Sequence, residues 1–191
     1  MATVLTAVIG RPILAIFFGL LTLFFLQFFR DPERFPEGGE ETIVSPADGT
    51  VLSIGPASEA PAGAGRRLTV FMSVFNCHVN RSPVTGSLID YAYSPGKKVA
   101  AFAEKASLEN EQNRITIGAA RGAVTFKQIA GALARRIVFQ PRPGDSLQRG
   151  QRIGMIKFGS RVDFFVPDGA EILVTRGSKV KAGQTGIARW T

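Results

Sequence analysis

Gly159-Ser160 interrupts a strand-like alternation in which Ile156 and Phe158 lead in and Val162, Phe164 and Val166 lead out. A glycine inside a strand marks a bulge or a close backbone approach. A distorted peptide bond ahead of a serine is also what backbone self-cleavage requires, because the serine Oγ must reach its own preceding carbonyl. Both readings stand at this point. The other Gly-Ser pair, Gly177-Ser178, lies in a turn motif and reads as a turn residue. His78 is the single histidine. Apart from a perturbed Cys77, it is the one side chain that titrates near neutral pH, either as a proton carrier or as a satisfied structural group. Asp48 lies in Ser45-Pro-Ala-Asp-Gly49, where a turn accounts for it and a carboxylate function remains open.

Composition removes whole classes of function. The single cysteine, Cys77, cannot form an intrachain disulfide, and Cys77 and His78 together are too few for a zinc site. With 191 residues, 45% of them hydrophobic and 20% charged, the chain is too apolar for a disordered segment. The formal net charge is +8, which suits an anionic lipid surface or a nucleic acid. The basic residues are scattered rather than striped, and no helix-turn-helix or RNA-binding signature is present, so nucleic acid is set aside.

The elements that must position these residues fall into two parts. From Pro12 to Phe29 the chain reads PILAIFFGLLTLFFLQFF, without a charge. A helix over it is apolar on every face, which predicts a membrane anchor that either spans or embeds, over residues 1–30. After Pro36 come short β-rich runs bounded by Gly, Pro and Asp, at Thr50–Ile54, Arg67–Phe71, Gly86–Ala92, Arg114–Ala119, Ala123–Ile129, Arg152–Phe158, Arg161–Val166 and Glu171–Val174. Only Gly131–Arg136 reads as briefly helical. One internal repeat is visible: Gly144-Asp-Ser-Leu-Gln-Arg-Gly-Gln151 matches Gly177-Ser-Lys-Val-Lys-Ala-Gly-Gln184. Each glycine suits a turn with positive φ, and Leu147 and Val180 point into a core. Such paired turns resemble those of barrel-sandwich hybrid folds. The expected fold class is therefore β-dominated (α+β), a barrel-sandwich-hybrid-like β domain over residues 31–191 behind an N-terminal hydrophobic membrane helix. Arg30 and Arg34 after the apolar run point to a cytoplasmic domain, although Asp31 and Glu33 interleave with them.

Four blocks taken together are specific. Phe28-Phe-Arg-Asp-Pro-Glu-Arg34, Ser45-Pro-Ala-Asp-Gly-Thr-Val51, Phe75-Asn-Cys-His-Val-Asn-Arg-Ser-Pro83 and Lys157-Phe-Gly-Ser-Arg-Val-Asp163 follow one another. In that order they resemble the phosphatidylserine decarboxylase proenzymes, most closely the short, membrane-anchored (type A) subgroup. The resemblance implies that Ser160 attacks the Gly159 carbonyl, giving a β chain (1–159) and an α chain (160–191) that stay together as a heterodimer and could form a higher homo-oligomer. Ser160 would become a pyruvoyl group, with no metal and no pyridoxal phosphate. That group would accept electrons as phosphatidylserine loses CO2 and becomes phosphatidylethanolamine.

By the same resemblance His78 corresponds to the histidine of decarboxylation and Asp48 to a self-cleavage aspartate. Larger members carry a second histidine three residues after the first. Here that position is Arg81, which cannot act as a base. Arg81, with Asn80, is then expected to bind the substrate carboxylate or phosphate. A related serine-headgroup lipid such as archaetidylserine, or an uncleaved membrane-anchored binding module, are the alternative readings.

Overall fold

The computed structural model describes residues 2–57, 63–96, 109–131, 136–157 and 160–191, with the side chains of the N-terminal helix described from Pro12 onward. That helix, α1 (Ala2–Phe28), ends where Asp31 precedes Pro32, a pairing that disfavours helical geometry. It is apolar and stands clear of the globule. Ile13, Leu20 and Leu26 are each more than 60% exposed, whereas Phe28 is fully buried. Among the described residues, no helix is long and apolar enough to cross a membrane. The uncharged run of α1 begins only after Arg11, and from Pro12 to Phe28 it is about 26 Å long against a hydrocarbon core of about 30 Å. This corrects the spanning form of the expected anchor.

The remainder is antiparallel β structure. The strands are β1 (Thr42–Val44), β2 (Gly49–Pro56), β3 (Arg66–Met72), β4 (Val79–Arg81), β5 (Gly86–Ser94), β6 (Gln112–Ala119) and β7 (Gly122–Ala130). They continue with β8 (Ile137–Phe139), β9 (Ser146–Leu147), β10 (Arg152–Ile156), β11 (Ser160–Val166), β12 (Ala170–Ile172), β13 (Lys179–Val180) and β14 (Gly186–Trp190). An eight-stranded sheet runs β13-β2-β3-β11-β7-β6-β5-β9, and two three-stranded sheets run β1-β14-β12 and β4-β10-β8. The large sheet is open, ending on β13 and β9, so the barrel-like expectation is corrected: no closed barrel forms among the described residues. The helical reading of Gly131–Arg136 falls on 132–135, outside the described residues, as do Phe158 and Gly159.

The repeat seen in the sequence is the visible part of a complete duplication. Val180 pairs with Gly49 as Leu147 pairs with Gly86, and Ile43 pairs with Ala188 as Asn80 pairs with Gly154. Ser45 and Ser82 each bond the carbonyl two residues on, at 2.7 Å. One half therefore comprises β4 to β10, inserted between β3 and β11 of the other. Inward residues of both halves, among them Val70, Ile115, Phe126 and Phe164, make one core.

The four repeat glycines, Gly144, Gly150, Gly177 and Gly183, all have positive φ. They differ in surroundings. A Cβ at Gly144 would meet open space, whereas one at Gly183 would strike the Arg81 Cδ. Gly144→Ala is expected to cost about 1–3 kcal/mol for the backbone alone. Gly183→Ala should cost clearly more, and urea midpoints of the two full-length variants check that order.

Candidate active site

Ser160 opens β11, the strand held along its length by β3 on one side and β7 on the other. All seven residues of β11 are buried. Alternation sends Val162, Phe164 and Val166 into the core with Ser160, while Arg161 and Asp163 lie on the opposite face in a buried ion pair of 2.6 Å. The Ser160 hydroxyl donates to the Met72 Sδ at 3.1 Å, a weak acceptor.

From Met72 a chain of buried amides crosses the sheet. The Asn80 amide nitrogen lies 4.0 Å from the same sulfur and 3.2 Å from the Pro46 carbonyl oxygen. Gln128 Nε2 donates to Asn80 Oδ1 at 2.8 Å, Asn113 Nδ2 donates to Gln128 Oε1 at 3.2 Å, and the Tyr91 hydroxyl donates to Asn113 Oδ1 at 3.2 Å. Asn80, Gln128 and Asn113 are buried polar residues satisfied by one another, a pattern that fixes their orientation.

His78 immediately precedes β4 and is fully buried. Its carbonyl accepts from the Ile156 N–H at 3.3 Å, which ties it to the end of β10, just before Ser160 in the chain. Its Nδ1 is 3.0 Å from the Asn76 carbonyl oxygen, which can only accept. The proton is therefore on Nδ1, and Nε2 presents a lone pair. That Nε2 finds no hydrogen-bond partner among the described residues. Burial pushes the imidazole pKa below its ordinary value, against the Asn76 bond and the Asp48 charge, with Arg30 adding to the fall. Next to it, burial pushes the Cys77 thiol up, and its Sγ donates to the Arg30 carbonyl at 3.2 Å. A thiol in that state is a poor nucleophile.

The remaining expected residues are each held by partners within the fold. Asp48 accepts from both Arg34 guanidinium nitrogens, at 2.5 and 2.9 Å, and from the Ala182 N–H at 2.8 Å, so it acts on His78 through space. In the other half Thr85 does the same turn-capping work, accepting from the Arg149 N–H at 3.1 Å. The turn thus needs an oxygen there, and the charge is peculiar to Asp48. Arg81 acts as a clamp within the fold. Its buried guanidinium donates to the Gly150 carbonyl at 3.0 Å, to Asp31 at 3.0 Å and to the Pro32 carbonyl at 2.9 Å. Asn80 likewise faces the amide chain, not an open cleft. Among the described residues no His, Cys, Asp and Glu cluster forms a metal site.

The sequence profile of phosphatidylserine decarboxylase matches residues 21–188. The chain belongs to that family. It is 46% identical over 185 residues to a phosphatidylserine decarboxylase proenzyme of Geotalea uraniireducens, covering 96% of this chain and 87% of that protein. A proenzyme of the same name from Trichlorobacter lovleyi is 49% identical over 171 residues, with 89% and 78% covered. One from Solidesulfovibrio magneticus is 47% identical over 191 residues, with 99% and 89% covered. The family is one of carboxy-lyases, and the proenzyme names accord with a chain made for processing.

Within this family member, Met72, Gln128 and Phe28 contact Ser160, Asn80 and His78 respectively, and motif reading passed over them. Gln128 had a signal: it continues the inward alternation of Val124 and Phe126, where a polar residue needs a partner. Met72 and Phe28 had none, since nothing distinguishes them from core residues.

Two outcomes follow from this geometry. Gln128→Leu leaves the Asn80 and Asn113 amides each short of a partner, an expected loss of about 1–3 kcal/mol for each buried group, read from the denaturation midpoint. Because the folded imidazole pKa lies below the ordinary 6.5, the unfolded chain takes up the proton first as pH falls. Stability should therefore drop as pH goes below about 6.5, until the folded imidazole also protonates. His78→Gln should flatten that part of a Tm-against-pH curve.

Proposed function

We propose that this chain converts phosphatidylserine to phosphatidylethanolamine and CO2 after cutting itself between Gly159 and Ser160. Family membership supports the reaction, and the state of Ser160 supports the processing. Ser160 is wholly buried at the first position of a central strand, and among the described residues its hydroxyl has a thioether as acceptor. In the cut, Oγ adds to the Gly159 carbonyl carbon and the peptide C–N bond breaks. The Ser160 α-proton and the new ester then leave by elimination, Gly159 keeps a carboxylate, and one water replaces one ammonia at residue 160.

The surroundings suit the resulting pyruvoyl group: a dry wall at Met72, and at His78 a buried nitrogen lone pair with no partner among the described residues. At residue 160 that group would supply a carbonyl to hold the substrate amine and a sink for the electrons freed with CO2. His78 Nε2, neutral at pH 7, is suited to accept the proton of the incoming ammonium and to return it to the carbon that has lost CO2. Asp48, held by Arg34, biases that imidazole towards its charged form. Residues 1–30 would form the anchor and 31–191 the catalytic part, with α1 embedded in the bilayer that contains the substrate. Burying the exposed Leu, Ile and Phe side chains of α1 stabilises that arrangement by about 1.5–3 kcal/mol each. The excess positive charge suits the anionic cytoplasmic leaflet.

Intact mass of the purified full chain, with Ser160→Ala beside it, tests the reading. Two fragments divided between residues 159 and 160 are expected in the wild type. The second should be lighter by one ammonia than a serine-started peptide, and CO2 should be released from phosphatidylserine vesicles. Ser160→Ala should remain one chain without activity. An active wild type that stays uncut would overturn the pyruvoyl route.

A further inference from the structure

The apolar helix does more than stand beside the globule. Phe28, its last residue and the only buried side chain in its described part, lies ring to ring on His78, with centroids 4.3 Å apart and planes tilted by 31°. The next residues bind the same loop from two further sides. Arg30 donates to the Phe75 carbonyl at 2.9 Å and its own carbonyl receives the Cys77 thiol, while a second guanidinium nitrogen closes the helix end on the Gln27 carbonyl at 2.7 Å. The loop that carries His78 is therefore held between β10, through the Ile156 bond, and the end of α1. Phe29, next in the chain, and Phe75, whose carbonyl Arg30 holds, are both exposed at this junction.

We infer that Phe28 is a positioning residue for His78, so that embedding α1 in a lipid surface sets the orientation of the imidazole as well as the location of the enzyme. This rests on the proposed role of His78 in decarboxylation. The Nδ1 bond to Asn76 fixes one edge of the ring but leaves it free to rock about that bond, and the Phe28 face removes the freedom. It also keeps water from Nε2. The charged groups acting on the imidazole are Asp48, itself paired with Arg34, and Arg30. None of these changes when Phe28 is replaced, so an effect on His78 titration would come from the ring itself.

The test uses the full-length chain with Phe28→Leu, which keeps an apolar side chain but no ring, and Phe28→Tyr, which keeps the ring. Fragment masses are recorded first, then CO2 release from vesicles of phosphatidylserine in phosphatidylcholine across pH. With Phe28→Leu, kcat should fall by about tenfold or more with KM little changed, as for a misplaced catalytic group. The acidic limb of the rate profile should move to higher pH, because a wetter imidazole regains its ordinary pKa. Phe28→Tyr should restore both. Wild-type kcat and pH profile in processed Phe28→Leu would overturn the inference, and so would a Phe28→Tyr variant as impaired as the leucine one. Failure of the parent reading would show separately, as a wild-type chain that is uncut or inactive.

Discussion

The position of β11 is the constraint on which the rest depends. A strand bonded along its length on both sides cannot leave the sheet without breaking two ladders at once, and all of its side chains are buried. Downstream of it, β13 pairs with β2 and β14 with β1, so residues 160–191 are tied to the earlier chain in three separate places. A cut just before Ser160 would remove a connection without removing a pairing. The duplication shows how that connection arises. In the inserted half the equivalent strands β6 and β7 are joined by a tight turn at residues 120–121. In the other half the equivalent strands β3 and β11 are joined through everything from β4 to β10. Gly159-Ser160 is where the chain returns from that excursion.

The two halves also show which residues the fold alone does not require, because each position has a counterpart under the same structural demands. Where β1 has Ile43 at a fully buried position, β4 has Asn80, and where β1 ends on Val44, β4 ends on Arg81. Where Thr85 caps one turn with a hydroxyl, Asp48 caps the other with a carboxylate. Polar groups thus stand at Asn80, Arg81 and Asp48 where the counterpart positions hold apolar or neutral ones. Buried polar groups cost stability unless partnered, and here almost every one is: Asn80 by Gln128, Arg81 by Asp31, Asp48 by Arg34. Among the described residues, the His78 Nε2 is the exception beside them.

Much of this was legible beforehand, for physical reasons that vary with the residue. Turn glycines announce themselves because only glycine tolerates their φ, and long strands because their alternation is sustained, as in β3, β7 and β11. Two- and three-residue strands such as β1, β4, β9 and β13 carry too little periodicity to be seen, and so the full duplication stayed hidden behind its eight-residue turns. The clamp made by Arg81 was not legible, because its partners Asp31, Pro32 and Gly150 are distant in sequence. Phe28 lay in a run of similar apolar residues, and only tertiary packing distinguishes it from its exposed neighbours.

The charges of the site are arranged so that the reacting corner itself is nearly free of them. Arg34 and Asp48 neutralise each other, Arg81 turns to Asp31, and Arg161 with Asp163 lies on the far face of β11. What faces Ser160 is a thioether, and what faces the imidazole is an aromatic ring. Such surroundings weaken the solvation of a concentrated charge more than that of a spread one. Loss of CO2 converts a concentrated carboxylate charge into one delocalised over an electron-accepting group, so a dry, neutral wall favours the step on the chemistry proposed. The same dryness keeps His78 neutral and its Nε2 available. The Arg81 guanidinium is directed to the helix linker and so leaves this corner without its charge.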